Sequence, residues 1–261
     1  MLVDVTKHEG VATFALNAPP ANTYSYEMMQ ELDAAILDVR MDDSVHVIVL
    51  RGASHAGARA GFFCAGADIA MLDQATPSFK AAFCLHANET LSRLEQTPKL
   101  VIAAIDGHCV GGGLEVALAC DLRVSLKGKH KLGLPEVKLG VLPGTGGTAR
   151  LSRLIGKGRA LELMLEGKNL DVDAALALGL ISRVFDSSAE IDAYARSFCP
   201  PGTAAKAVGF IKRSVQSGLG MSLEGHLALE RELQQQLFTS SDAKEGISAY
   251  LDKRAAHFQG K

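Results

Sequence analysis

The chain lacks most of what would tie it to a nucleic acid, a membrane, a metal or a disulfide framework. Its 27 Lys and Arg nearly balance its 29 Asp and Glu, leaving a net charge of −2 without a basic block or Arg-rich tail. That argues against nucleic acid as the main partner and leaves open a local basic patch for a phosphorylated small ligand. No apolar run approaches the ~20 residues a membrane helix needs, so no membrane association is expected. Met1-Leu-Val-Asp-Val-Thr-Lys-His-Glu9 carries charge within a few residues and reads as a strand rather than a targeting peptide, so the expected location is cytoplasmic. The cysteines (Cys64, Cys84, Cys109, Cys120 and Cys199) are odd in number and form no C-x-x-C. Neither a disulfide framework nor a zinc site is expected from them. The eight histidines show no metal-ligand spacing, and no metal is expected. Two nucleotide signatures are also missing. The glycines do not spell G-x-G-x-x-G with a ribose-binding acid downstream, and no Gly-Lys-Ser/Thr closes a phosphate loop.

What is present suits a soluble globular protein of 261 residues, either one large domain or one domain with an appendage. Strand and helix patterns alternate through the first part. Val11–Leu16, Val45–Arg51, Leu100–Ile105 and Leu122–Leu126 read as strands. Leu100–Ile105 is almost wholly apolar, as a strand buried on both faces should be. Met28, Leu32, Ile36 and Val39 keep helical spacing, as do Phe79, Phe83, Ala87, Leu91 and Leu94. Gly107–Gly113 reads as a turn and Leu114–Cys120 as a short buried helix. The recurring order implies parallel strands with right-handed crossovers. Beyond the Pro200-Pro201-Gly202 breaker the pattern is helical, over 204–214, over Leu223–Leu237 and over 242–258, with Asp242 and Glu245 spaced like a capping box. About 60 residues of helix make a poor independent core, so this part should pack on the body or on a neighbouring subunit.

Two glutamates in glycine-rich settings, 21 residues apart (136 − 115), draw most attention. Glu115 ends Gly107-His-Cys-Val-Gly-Gly-Gly-Leu-Glu115. Glu136 ends Gly133-Leu-Pro-Glu136 and precedes Leu139-Gly-Val-Leu-Pro-Gly-Thr-Gly-Gly147. Gly111–Gly113 allows two readings: backbone N–H groups turned outward at a helix start, where an anion is favoured, or glycines that let strand and helix pack closely. Glu115 is either a first-turn acid in solvent or a buried acid with a raised pKa; its apolar neighbours favour the second. Glu136 is either a loop carboxylate or an acid on a fixed backbone, and its Gly and Pro surroundings favour the second. Gly144–Thr148 reads as a helix entry packed near Glu136. Ala65-Gly-Ala-Asp-Ile69 is a turn or a third site segment. Cys64 and Cys109 fall inside these segments and read as small buried thiols before nucleophiles. His108 is the only histidine near them. A carboxyl pair beside free backbone donors suits proton transfer next to a carbonyl whose oxygen must hold negative charge.

Jointly, F-x-A-G-A-D-I, A-A-I-D-G-x-x-x-G-G-G-x-E, L-P-E with G-x-x-P-G-x-G-G-T, and the C-terminal Glu245–Phe258 resemble the crotonase (enoyl-CoA hydratase/isomerase) superfamily over nearly the whole chain. The resemblance implies an α/β fold: a spiral of ββα repeats (residues 1–198) followed by an all-α oligomerisation domain (199–261) that forms a homotrimer or a dimer of trimers. It implies an acyl-CoA substrate, with coenzyme A as part of it and no other cofactor. By position, the backbone N–H groups of Ala67 and Gly112 form an oxyanion hole, and Glu115 and Glu136 are the catalytic acids. Ala65, Asp68, Ile69, Gly111 and Leu72 are candidate substrate contacts; Leu72, Phe79 and Phe83 are candidates for the acyl pocket. Lys253 is a candidate for a CoA phosphate, with an exposed helix lysine as the alternative. Two features depart from the family pattern. Asn17-Ala-Pro-Pro-Ala-Asn22 lacks the basic residue of N-R-P-x-x-x-N, and the loop from Ser54 to Gly61 is longer than in many relatives.

Both glutamates together point to syn hydration of a 2-trans-enoyl-CoA. The rivals are an enoyl-CoA isomerase, a hydratase of a branched, cyclic or carnitine-type acyl-CoA, and a non-catalytic CoA-binding scaffold, which the loss of either glutamate would have favoured.

Overall fold

The structure is a computed structural model and describes residues 1–54 and 61–261. Residues 55–60, which hold most of the long loop after Ser54, lie outside the described residues. Val3–His8 (β1) and Val11–Leu16 (β2) pair antiparallel across Glu9-Gly10. Both turn residues have positive φ, the region where glycine is least strained. Val47–Gly52 (β3), Leu100–Ile105 (β5), Leu122–Leu126 (β7) and Arg183–Phe185 (β10) then add in parallel, giving the order β1-β2-β3-β5-β7-β10.

A second sheet stands beside the first. Phe62–Cys64 (β4), His108–Val110 (β6) and Leu132–Gly133 (β8) run parallel, and Asn169–Leu170 (β9) closes the edge antiparallel. Each of β3, β5 and β7 is followed by a strand of this second sheet and then by helix. Ile69–Gln74 (α2) and Pro77–Gln96 (α3) follow β4; Gly112–Leu118 (α4) follows β6; a 3₁₀ turn at Glu136–Leu139 and the helix Gly147–Ile155 (α5) follow β8. These are three turns of the ββα spiral that the family resemblance implies. Gly107–Gly113 is therefore not one turn, since β6 lies inside it. Such two- and three-residue strands are too short to show a period of their own.

The six-stranded sheet is buried on both faces. Val101, Ala103 and Ile105 of β5 face one apolar cluster, and Leu100, Ile102 and Ala104 face the other. Tyr26–Arg40 (α1) covers the first face. It is capped by the Ser25 side chain and buries Met28, Met29, Leu32, Ile36 and Val39. Each fully buried aliphatic chain is worth about 1.5–3 kcal/mol, so this face outweighs any propensity term. Ser188–Arg196 (α8) and Ala205–Gly218 (α9) cover the other face through Ile191, Ala195 and Val208.

Two more helices follow, Leu223–Phe238 (α10) and Ser241–Leu251 (α11). The last is shorter than the sequence pattern suggests, and the capping box is not formed. Ser240 caps it by accepting from the Ala243 N–H. Asp242 is buried and accepts from the Gln259 and Gly260 N–H groups at 2.7 and 2.8 Å. Glu245 instead pairs with Arg254. The segment after Leu251 thus folds back on α11 as extended chain. Among the described residues no helix is long and apolar enough to cross a membrane.

Candidate active site

Gly111 is the N-cap of α4 at φ 57°, ψ −137°, a conformation only glycine adopts easily. A Cβ on Gly113 would lie 2.0 Å from the Cys64 carbonyl oxygen, and one on Gly112 would lie 2.2 Å from the Tyr24 hydroxyl oxygen. The close-packing reading of these glycines therefore holds: α4 starts hard against β4. The neighbouring segment comes equally close, since a Cβ on Gly66 would sit 3.0 Å from the Gly112 nitrogen. Tyr24 straddles Ala67 with its backbone, donating to the Gly66 carbonyl at 2.9 Å and accepting from the Asp68 N–H at 3.0 Å. Among the described residues, neither the Ala67 nor the Gly112 N–H finds an acceptor. Gly112 is the first helical residue, whose N–H has no partner within a helix.

Glu115 lies in the first turn of α4 and is 2% exposed. Its Oε1 accepts from the N–H groups of Thr145 and Gly147 at 2.8 and 2.7 Å. Gly147 opens α5, so the positive end of that helix faces the carboxylate. Burial pushes its pKa up, and these N–H donors pull it back toward the charged form. The Gly144–Thr148 helix entry thus serves Glu115, where the sequence pattern had suggested Glu136.

Glu136 begins the 3₁₀ turn after β8, and Oε1 would be 3.4 Å from a Cβ on Gly111. Both carboxyl oxygens are buried and have no protein partner among the described residues. Burial raises its pKa to about 7, its own N–H opposes this, and the Glu115 charge adds to the rise. An orphaned buried carboxyl costs free energy unless something occupies the space in front of it.

The other expected residues have varied surroundings. Ala65 donates to the Ala21 carbonyl at 3.1 Å. Asp68 caps α2 by accepting from the Ala70 and Met71 N–H groups. Ile69 is 56% exposed, and Leu72 packs half-buried against the core. Phe79 and Phe83 stack at 6.3 Å, and Phe83 touches Tyr24. Lys253 is not on a helix face but just past the end of α11, exposed, with φ 54°. No described contact joins it to either glutamate. His108 accepts from the Lys131 N–H through Nδ1 and lies against Phe62, a structural role. Cys64 and Cys109 are fully buried, and burial pushes the Cys64 thiol up to about 12, so both are space-filling.

Three residues beside Glu115 escape sequence reasoning. The Tyr24 hydroxyl bonds Thr145 Oγ1 at 3.1 Å; Cys84 on α3 lies close enough to feel the Glu115 charge. Thr145 was visible only as a letter in a glycine-rich run. Nothing local marks Tyr24 or Cys84, because their partners are more than 100 and 30 residues away along the chain, respectively.

The family model described as Enoyl-CoA hydratase/isomerase matches residues 6–261. A probable enoyl-CoA hydratase of Bacillus subtilis (strain 168) is 35% identical over 254 residues, covering 96% of each chain. The mitochondrial methylglutaconyl-CoA hydratase of Homo sapiens is 35% identical over 263 residues, covering 98% of this chain and 75% of its own length. Among solved structures, an enoyl-CoA hydratase of Geobacillus kaustophilus HTA426 superposes with a TM-score of 0.94 at 43% identity, covering 100% of this chain and 97% of that one. With two glutamates set at the glycine-rich start of α4 and likeness along its full length, this chain belongs to the enoyl-CoA hydratase/isomerase family of the crotonase superfamily.

Proposed function

We propose that the protein is an enoyl-CoA hydratase, a hydro-lyase that adds water across the 2-trans double bond of an acyl-CoA thioester. The observation that carries this reading is the Glu136 carboxyl, buried and unpartnered, coupled to the charge of a second acid, Glu115. A water between two such groups gives both a donor and an acceptor, which hydration requires and a one-acid reaction does not.

The two acids differ in what holds them. Glu115 has backbone donors and a helix N-terminus behind it and is the better-stabilised anion. Among the described residues Glu136 has no such support beyond its own N–H and is the readier proton carrier near neutral pH. In this reading Glu115 takes a proton from water as the water oxygen bonds to C3. The π electrons of the double bond move onto the thioester, whose oxygen is held by the Ala67 and Gly112 N–H groups. Glu136 then delivers its proton to C2. The product is a 3-hydroxyacyl-CoA, and both additions come from the glutamate side of the substrate, hence syn. Each acid–base group supplies ~10²–10⁴ in rate, and an oxyanion donor ~10²–10³. Coenzyme A enters as part of the substrate, with no further cofactor and no metal. Ala65, Asp68, Ile69, Gly111 and Leu72 would line its path, and Lys253 would meet a CoA phosphate.

Self-association, as a trimer or a pair of trimers through the part beyond residue 198, belongs to the same reading. Of the leucines on α10 only Leu233 is buried, whereas Leu223 and Leu227 are 75% and 44% exposed. An apolar groove of about 520 Å³ along α9 presents Ile211, Val215 and Leu219; neither glutamate lines it, so it is read as contact surface and not as a reaction site. A cytoplasmic location is the setting proposed.

The test is a spectrophotometric screen of 2-trans-enoyl-CoA thioesters graded in length and branching, following loss of the conjugated thioester band. It includes branched acidic acyl groups because of the methylglutaconyl-CoA hydratase relative. Turnover of at least one series with 3-hydroxyacyl product is expected. Conversion of 3-enoyl to 2-enoyl thioesters with no hydration would overturn the reading in favour of an isomerase.

A further inference from the structure

Two N–H groups, from Thr145 and Gly147, converge on the single oxygen Oε1 of Glu115. They belong to the peptide between Gly144 and Thr145 and to the peptide between Gly146 and Gly147. A peptide unit is planar and trans, so fixing its carbonyl fixes where its N–H points. Each carbonyl of this turn has its own donor. Asn88 of α3 donates through Nδ2 to the Gly144 oxygen at 3.0 Å. Arg150 of α5 donates through Nη1 to the Thr145 oxygen at 3.2 Å and through its backbone N–H to the Gly146 oxygen at 2.9 Å. The guanidinium is itself locked. Its Nε and Nη2 donate to the Glu95 carboxylate of α3 at 3.3 and 3.0 Å, and the Arg150 side chain is only 14% exposed. A Cβ on Gly146 would lie 2.1 Å from Nη1, and Gly146 sits at φ 104°, so the turn has glycine where the arginine crosses it.

We propose that Asn88 and Arg150 are positioning residues, a brace from α3 and α5 that sets the three peptides of the Gly144–Gly147 turn and so keeps both N–H groups trained on Glu115. The brace deepens the hydratase reading by assigning what holds the acid that takes the proton from water, and only its kinetic arm rests on that reading. The titratable and charged groups facing Glu115 are Tyr24 from the stretch before α1, Cys84 from α3, Arg150 from α5 and Glu136 from the 3₁₀ turn. Asn88→Ala leaves all of them in place. Because Asn88 is uncharged, a change at Glu115 in that variant reports geometry and not the field of a lost charge.

Loosening donors that favour the charged form raises a carboxyl pKa. One neutral bond acting through one peptide implies a rise of about half a pH unit in Asn88→Ala. The readout is the carboxyl ¹³C titration of Glu115 in the free protein, assigned with Glu115→Gln. Arg150→Lys keeps the charge and loses the fork that spans the Thr145 carbonyl and Glu95, so it should shift the titration at least as far. In turnover, each variant should lower kcat about threefold to tenfold with KM within about twofold, the size of one such bond. Residues that only stabilised the fold would lower the melting temperature and leave the titration in place. An unshifted titration in Asn88→Ala would overturn the brace. An unshifted titration in Arg150→Lys would overturn it too, leaving Arg150 as a charge alone. The titration needs no substrate, so a wild-type protein that hydrates nothing would sink the hydratase reading while leaving this result standing.

Discussion

Replacing Glu136 with Gln should inactivate the protein and stabilise it in alkaline solution at the same time. The folded state raises this carboxyl from 4.5 to about 7, so the native protein holds the proton more tightly than the unfolded chain does. This carboxyl's contribution to native stability is therefore complete below pH 4.5 and is lost as pH rises through about 7, where the group must ionise with no donor to its oxygens among the described residues. A rise from 4.5 to about 7 would correspond to about 3 kcal/mol at about 1.36 kcal/mol per unit. Glu136 as a whole residue is half-buried, with solvent close by, which cuts this to about 1–2 kcal/mol. Gln keeps the shape and never ionises. Urea unfolding from pH 5 to 8.5, at fixed protein concentration because association shifts apparent stability, should show variant and wild type nearly coincident at the acid end. The variant should then be about 1–2 kcal/mol more stable above pH 8, while hydration falls at least ~10²-fold. Equal stability across the range would mean that Glu136 ionises as a solvated carboxylate, and the acid role assigned to it would fail.

The remaining tests address the other parts of the site. With Glu136 as proton donor, kcat/KM for hydration should fall on the alkaline side with an apparent pKa near 7 that belongs to the carboxyl pair; a flat profile to pH 9 would reverse the assignment. Glu115→Gln should lose at least ~10²-fold in kcat, while acyl-CoA affinity by calorimetry changes less than about tenfold, since backbone donors hold the thioester; normal hydration in this variant would refute the two-acid mechanism and leave Glu136 as the one working acid. Gly113→Ala puts a methyl against the Cys64 carbonyl and should cost more than ~3 kcal/mol or prevent folding, read by denaturant unfolding, because backbone cannot move aside as a side chain can. Leu223→Glu with Leu227→Glu should leave circular dichroism unchanged and shift the mass by light scattering from trimer to monomer; an unaltered mass would put the contact elsewhere.

Elements long enough to carry a period were readable from residues alone. β2, β5, β7, α1 and α3 lie where alternation, apolar runs and 3.6-residue spacing put them, because burial of one face is a property of the segment itself. The glycine-rich motifs likewise marked α4 and its acid, since close approach of backbones demands glycine wherever the chain folds. The two-residue β8 and β9 and the three-residue β4 and β6 were invisible, for they exist only as neighbours of one another. The fold-back over α11 was missed for a related reason: Asp242 as a first-turn acid and Asp242 as a buried acceptor for Gln259 and Gly260 look the same in one dimension. Sequence named both glutamates, but it could not say that Thr145 and Gly147 hold one and that, among the described residues, the oxygens of the other have no partner. That difference is what separates a stabilised anion from a proton carrier. It arises from partners brought together by the spiral across 30 or more residues of chain, and only tertiary structure supplies them.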